Sequence, residues 1–300
     1  MLIGALPRVI FATERPEGRL TVLSGTFSGP DTVSLAQFDL SGRLIGKLAG
    51  TDIPTGLSRV EGFRVDHLGD TWVSTLYPPE LARFSQGSLI SAVLLKAIRI
   101  TYGLALDETR GRVFVAGCSP RSKPPGGCLL IHQFTFPGLQ YVRSFLPTAP
   151  EVLQKRQFSV QTVPIEVGPR GNVWAIDSPA WTLYSIDPSS GRVSSHPIQS
   201  RVMPRAGAFD AMGGAEYVRT YMQNAAVPVS IVISGRTVIV CVRRSGHFWL
   251  ELFNLSGAQI GTDVPAPGRL VGTGRGDALL FGASSKGGAQ LIRAELRDLR

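Results

Sequence analysis

A six-fold repeat of one short pattern constrains the fold of this chain more than any other feature. In each copy, a glycine and a polar residue precede a short run rich in β-branched, aromatic or other apolar residues. Glycine tolerates positive φ, so each copy predicts a turn that leads into a strand. The six glycines, spaced 41 to 64 residues apart, are Gly18, Gly69, Gly111, Gly171, Gly235 and Gly276.

A second pattern follows most copies and consists of a strand, a small turn and another strand. In five of these stretches an aromatic residue shortly precedes the turn, as in residues 38–42 and 253–257. Each unit is therefore predicted to contain four strands in an antiparallel meander. No long segment shows sustained helical periodicity.

Four-stranded units repeated six times predict an all-β fold, a six-bladed β-propeller of four-stranded antiparallel blades. The competing interpretation is a pair of β-sandwiches, in which a six-fold repeat would be accidental. After residues 290–294 the last unit lacks room for a fourth strand, so we expect residues 2–6 to supply it. We expect one domain over residues 1–300, with units at about 1–50, 57–100, 101–146, 160–198, 227–265 and 267–300 and inserts at 147–163 and 199–227.

Two stretches also resemble a known family. GLALDETRGRVFVAG (residues 103–117) and IEVGPRGNVWAID (residues 165–177) are similar to the repeats of NHL-type and related six-bladed propellers of bacteria. The likeness covers essentially the whole chain in units. Such repeats are specific for the fold and carry almost no information about function.

The cysteines give the sharpest local signal. Cys118 ends the predicted second strand of the third unit, and Cys128 begins the strand that pairs with it, so a hairpin would place them opposite each other at disulfide distance. Two reduced thiols at the loop ends are the alternative. Cys241, inside an apolar run, is expected to be a buried free thiol. A bridge would indicate a periplasmic or secreted protein whose presequence is missing; otherwise the protein is expected to be cytoplasmic.

Composition and charge argue against several classes of partner. The formal net charge is +9, but the basic residues are scattered, so we expect no nucleic-acid surface. The longest apolar stretch, residues 89–100, is only 12 residues long and contains Lys96 and Arg99, whereas a membrane span needs about 20 apolar residues. We therefore expect no transmembrane segment. We also expect the protein to be a monomer.

Motifs for catalysis or metal binding are incomplete. The chain contains no HExxH pair, no G-x-S-x-G turn and no C-x-x-C motif, and its four histidines lie in different units. Two glycine-rich stretches are predicted to be turns. Residues 42–48 are one residue short of a phosphate loop and lack its Ser or Thr, and residues 272–276 precede a strand, whereas a dinucleotide loop precedes a helix. No cofactor is expected.

The remaining candidates for a site are loops and strand starts at the predicted channel rim. Six rim candidates are Arg59, Glu61, Arg64, Tyr102, Gln161 and Glu166. The insert 199–227 adds Arg205 and Asp210, together with Glu216, Tyr217, Arg219 and Tyr221. Long loops inside compact domains are often functional. The alternative is that the insert 199–227 is only a solvated loop or a short helix.

Two hypotheses for function follow. The first is a non-catalytic binding module that presents rim and loops to a protein, peptide or carbohydrate and needs no cofactor. The second follows from a resemblance of Glu61-Gly62 to the glutamate step of six-bladed lactonases similar to gluconolactonase. That resemblance implies lactone or ester hydrolysis with a divalent cation such as Ca²⁺ held by a Glu, an Asn and an Asp. The matching Asn and Asp contexts have no clear counterparts in later units.

Overall fold

The computed structural model describes most of the chain as β-strands. The described residues are 2–4, 9–14, 18–24, 34–48, 60–76, 78–85, 88–96, 98, 100–118, 128–148, 162–178, 180–201, 216–217, 220–221, 224–285 and 288–299. They form six four-stranded antiparallel sheets, here called blades, and the expected six-bladed propeller fold is confirmed. The chain divides into two compact units of three blades each, unit 1 (Met1–Leu94 with Ala266–Arg300) and unit 2 (Leu95–Pro265).

Unit 1 contains blades 1, 2 and 6. The strands of blade 1 are β2 (Val9–Glu14), β3 (Arg19–Ser24), β4 (Ser34–Asp39) and β5 (Leu44–Leu48). The strands of blade 2 are β6 (Val60–Val65), β7 (Thr71–Leu76), β8 (Pro79–Ser85) and β9 (Ser88–Leu94). The strands of blade 6 are β22 (Arg269–Thr273), β23 (Leu279–Ser285), β24 (Gly288–Ala294) and β1 (Leu2–Gly4).

Unit 2 contains blades 3, 4 and 5. The strands of blade 3 are β10 (Ile100–Asp107), β11 (Arg112–Cys118), β12 (Leu129–Thr135) and β13 (Tyr141–Pro147). The strands of blade 4 are β14 (Ile165–Val167), β15 (Val173–Asp177), β16 (Thr182–Ile186) and β17 (Val193–Pro197). The strands of blade 5 are β18 (Val227–Ser234), β19 (Thr237–Arg244), β20 (His247–Asn254) and β21 (Gln259–Ala266).

The glycine repeat marks the turn before the second strand of every blade, as predicted. All six repeat glycines have positive φ, between 56° at Gly235 and 90° at Gly69. A side chain at such a φ is strained, so the repeat reflects a backbone requirement.

Burial falls from the inner to the outer strands of a blade. Every residue of β7 and β15 is buried, whereas β9 and β17 are largely exposed. The buried side chains form clusters shared by neighbouring blades: blades 6 and 1, and blades 1 and 2, in unit 1; blades 3 and 4, and blades 4 and 5, in unit 2. Because both faces of an inner strand are covered, the second strands read as continuous apolar runs.

The turn after the aromatic residue of the second pattern has one recurring geometry. Asp39 Oδ1 accepts hydrogen bonds from the main-chain N–H of Ser41 and of Arg43. Asn254 Oδ1 accepts the equivalent bonds from Ser256 and Ala258. A short Asx side chain that caps its own turn explains why Asp and Asn recur there.

The N-terminus closes blade 6. Strand β1 pairs antiparallel with β24, with Leu2 opposite Gln290 and Gly4 opposite Gly288. The expected closure is thus confirmed for Leu2–Gly4, and it covers an edge that β24 would otherwise expose.

A disulfide joins Cys118 and Cys128, as predicted, while Cys241 is a buried free thiol. One detail of the prediction was wrong: Cys128 precedes its strand, because β12 begins at Leu129. Thr148 donates both its main-chain N–H and its hydroxyl to the carbonyl of Cys128, which ties the bridge to the end of β13. No helix within the described residues has the length and apolar character needed to cross a bilayer.

Candidate functional site

The predicted rim residues that the structure describes lie inside the innermost strands of their blades. Glu61 and Arg64 are on β6 in unit 1, whereas Tyr102 is on β10 and Glu166 on β14, neighbouring strands of unit 2. The other four predicted site residues, Arg59, Gln161, Arg205 and Asp210, lie outside the described residues.

Glu61 and Tyr102 occupy equivalent positions of the repeat. In β6 the pairing register with the second strand shifts between Val60 and Gly62, and in β10 it shifts between Thr101 and Gly103. Glu61 and Tyr102 are therefore the extra residues of two β-bulges, which can re-aim a side chain relative to the sheet. Equivalent shifts occur in β2, β18 and β22.

The side chain of Tyr102 is partly structural. It is half-buried and packs against the core cluster of blades 3 and 4, which contains both bridged cysteines. The adjacent Gly103 lies against the segment that leads into β14, since a Cβ at this position would make an ordinary contact, 3.4 Å from the carbonyl oxygen of Val163.

Arg64 and Glu166 form a second equivalent pair. Each lies directly opposite a fully buried tryptophan, Trp72 for Arg64 and Trp174 for Glu166. Arg64 donates to the carbonyl of Phe63 at 2.7 Å, and Glu166 accepts the main-chain N–H of Val167 at 3.0 Å. Both side chains are half-buried.

A dense polar arrangement lies at the base of the insert 199–227, on blade 5. Gln199 exchanges two hydrogen bonds with the side chain of Gln259, at 2.9 and 2.8 Å, and its carbonyl also accepts the hydroxyl of Thr262 at 3.0 Å. Asp263 accepts the hydroxyl of Ser200 at 2.5 Å and the main-chain N–H of Arg201 at 3.0 Å. We call residues 199–201 the insert base, and these five bonds fix it to β21.

A buried carboxyl group lies beneath the insert base. Glu251, on β20, is fully buried, and it accepts hydrogen bonds from the side chain of Gln259 at 2.8 Å and from the main-chain N–H of Asp263 at 3.2 Å. Burial raises the pKa of Glu251 to about 7, and the negative charge of Asp263 raises it too, against the lowering effect of its hydrogen bonds.

Asp263 itself has φ of 54°, in the left-handed region that few residues other than glycine adopt. Such conformations persist where the surroundings fix them, and they cluster at functional positions. Here the left-handed conformation of Asp263 places both of its carboxylate oxygens under the insert base.

The other end of the insert carries two aromatic side chains. Tyr217 and Tyr221 lie in helical backbone, with ring centroids 6.3 Å apart and planes inclined by 27°. The main-chain N–H of Ala225 then donates to the carbonyl of Tyr221 just before β18 begins. Burial and the neighbouring Tyr217 raise the pKa of the Tyr221 phenol, so the Tyr221 ring is neutral at physiological pH.

Sequence reasoning identified the insert but missed the carboxyl group beneath it. Glu251 lies in FWLELF, where a single acid interrupts an otherwise apolar strand. A charged residue in a buried strand is rare unless it is paired, so this interruption was the available signal. Within the described ranges, no three His, Cys, Asp or Glu side chains are grouped so as to hold a metal ion.

Comparisons with known proteins support the fold. No family model and no curated protein matches the chain. A streptogramin B lyase structure aligns with a TM-score of 0.60 at 15% identity, covering 98% of this chain and 85% of that chain. A catalytically inactive virginiamycin B lyase from Staphylococcus aureus, solved with quinupristin, aligns with a TM-score of 0.60 at 14% identity, covering 98% and 86%.

A nidogen/laminin complex aligns with a TM-score of 0.56 at 11% identity, covering 84% of this chain and 78% of that chain. Identities this low show a shared fold only. With its six four-stranded sheets, the chain is a six-bladed β-propeller protein, and its finer resemblance to NHL-type repeats stays a prediction.

Proposed function

We propose that the protein is a non-catalytic binding module whose ligand, a protein, peptide or carbohydrate, contacts the insert 199–227. The observation that carries this proposal is the fixed insert base, which five hydrogen bonds hold on β21. Loops longer than about 12–15 residues inside a compact domain are usually either functional or disordered, and a fixed base favours a functional loop. A rigid scaffold that positions a loop is a common way to build a binding site.

The tyrosine pair supports the same proposal. Tyrosine combines a large apolar ring with a polar hydroxyl group, so it contributes contact area and hydrogen bonds at a low entropic cost. Tyr217 and Tyr221, four residues apart on one helical face, present this combination next to blade 5. The disulfide further supports a periplasmic or secreted location, where such bridges persist.

Replacing both tyrosines is expected to remove most of the binding. We expect wild-type protein to retain members of a carbohydrate array or a displayed peptide library, and Tyr217→Ala/Tyr221→Ala to lower the affinity for those ligands at least about tenfold. Affinity is measured by titration calorimetry. The matched control is Tyr141→Ala, which removes a 61% exposed tyrosine from blade 3 and is expected to bind like wild type. Unchanged affinity in the double variant would contradict the proposal.

The alternative is a cation-dependent lactonase or esterase that uses Glu61. Under the binding proposal, 1 mM Ca²⁺ or a chelator should leave the melting temperature unchanged, as measured by calorimetry. A cation site with Kd near 10 μM would instead stabilise the fold by about 2.7 kcal/mol, because the metal would be at roughly 100 times Kd. Stabilisation that disappears in Glu61→Gln, together with lactone hydrolysis, would overturn the binding proposal in favour of the enzyme.

A further inference from the structure

The hydrogen bonds around Glu251 connect a buried carboxyl group to the insert base. Gln259 Nε2 donates both to Glu251 Oε2 and to the carbonyl oxygen of Gln199, each at 2.8 Å. Glu251 Oε1 accepts the main-chain N–H of Asp263, whose own carboxylate holds Ser200 and Arg201. A change at Glu251 therefore reaches the insert base through Gln259 and Asp263, and also directly, because the hydroxyl of Ser200 hydrogen-bonds to Glu251.

The charged surroundings of Glu251 make its ionisation costly. From β21 it meets the carboxylate of Asp263, which carries the same charge. The residue opposite Glu251 on β19 is Val240, which is uncharged and fully buried. Arg201 contributes its main-chain N–H to the network, while the residue itself is exposed. Ionised Glu251 would thus place a second negative charge beside Asp263, on a side chain that is itself shielded from solvent.

We propose that Glu251 and Asp263 form a proton-operated latch, which holds the insert base on blade 5 while Glu251 is protonated and loosens it when Glu251 ionises. The latch rests on the proposed role of the insert in binding, because it would make that binding depend on pH.

The direction of the pH dependence follows from the raised pKa of Glu251. A folded-state pKa of about 7, above the ordinary value of 4.5, means that burial in the folded protein, with the charge of Asp263, favours the protonated carboxyl group more than the hydrogen bonds to Glu251 favour the ionised one. The stability contributed by this preference is fully present below pH 4.5 and is lost as the pH rises through about 7. The latch is therefore closed at mildly acidic pH and loosened at alkaline pH.

Hydrogen exchange of the ligand-free protein tests the latch. Exchange in a peptide covering residues 196–203 is followed by mass spectrometry at several pH values for wild type and for Glu251→Gln, which keeps a neutral side chain. Comparing the two at one pH cancels the intrinsic chemical rate. We expect similar rates at about pH 4.5 and, at about pH 8.5, exchange at least about tenfold faster in wild type, since the opening equilibrium shifts by up to about tenfold for each pH unit between 4.5 and about 7 and levels off above that.

A peptide covering β11 is the internal reference and should exchange identically in both proteins. Equal wild-type and Glu251→Gln rates at pH 8.5 would overturn the latch. Asp263→Asn provides a second test that does not depend on Glu251→Gln folding. The Asp263→Asn substitution removes the charge that repels ionised Glu251. The ratio of the insert-base exchange rate at pH 8.5 to that at pH 4.5 should therefore be smaller in this variant than in wild type. An unchanged ratio would contradict the latch.

The two proposals can fail separately. Binding that survives in Tyr217→Ala/Tyr221→Ala, with the exchange pattern as expected, would leave the latch without its role in binding. Binding that is lost in that variant, with exchange that does not respond to Glu251, would leave the binding proposal intact and refute the latch.

Discussion

Replacing Gly272 with alanine is expected to destabilise the protein by roughly 3 kcal/mol or more and to lower its melting temperature by roughly 6–12 °C. Gly272 lies on β22 directly after a register shift, and β22 packs beside β2. A Cβ atom at this position would overlap the carbonyl oxygen of Ala12 on β2. Because the obstacle is backbone, no side-chain rotation relieves it, and two blades of unit 1 must separate. Thermal and urea unfolding measure the effect.

Gly46→Ala is the matched control for this prediction. Gly46 also lies within a strand, β5, but apart from its own chain neighbours no atom of the described residues comes within 4 Å of the position that its Cβ would occupy. We expect its stability to remain within about 0.5 kcal/mol of wild type, as for an ordinary surface substitution. Equal unfolding curves for Gly272→Ala and Gly46→Ala would show that β22 and β2 do not meet as described.

Removing the disulfide is expected to have an effect of similar size. The bridge closes a loop with a sequence separation of 10 residues, and its loss in Cys118→Ser/Cys128→Ser should lower the free energy of unfolding by about 3 kcal/mol through the entropy of the unfolded chain. Both cysteines are also buried in the core cluster of blades 3 and 4, so two serine hydroxyl groups would add a burial cost. Urea denaturation without reductant measures the difference.

Reductant supplies the control within the same experiment. It should destabilise the wild-type protein and leave the double serine variant unchanged. Thiol counting on denatured, unreduced wild type should give one free thiol, that of Cys241. A count of three would refute the bridge and remove the support that it gives to an extracytoplasmic location.

The parts of the fold that sequence predicts well are those determined by neighbouring residues. A glycine that must adopt positive φ, followed by an apolar run, is local, and all six copies lie where the repeat placed them. The same holds for the bridge, since Cys118 and Cys128 flank one hairpin. Closure by β1 was predictable for another reason, because the last unit was one strand short.

The candidate site was less predictable because its contacts are not local. Ser200 and Asp263 are 63 positions apart, and their spacing in sequence does not indicate that they meet. The rim candidates illustrate the same limit. Sequence placed Glu61 and Tyr102 just before or at the start of the first strand of their units, but their equivalence as bulge residues required the register of β6 and β10.

The most direct test of the binding proposal is a hydrogen-exchange footprint of wild-type protein with a ligand enriched from the carbohydrate array or the peptide library. The proposal predicts slower exchange in the insert base, residues 199–201, and around Tyr217 and Tyr221, with little change in β9, an outer strand of blade 2. Protection confined to β6 and β14, around Glu61 and Glu166, with an unprotected insert, would contradict it.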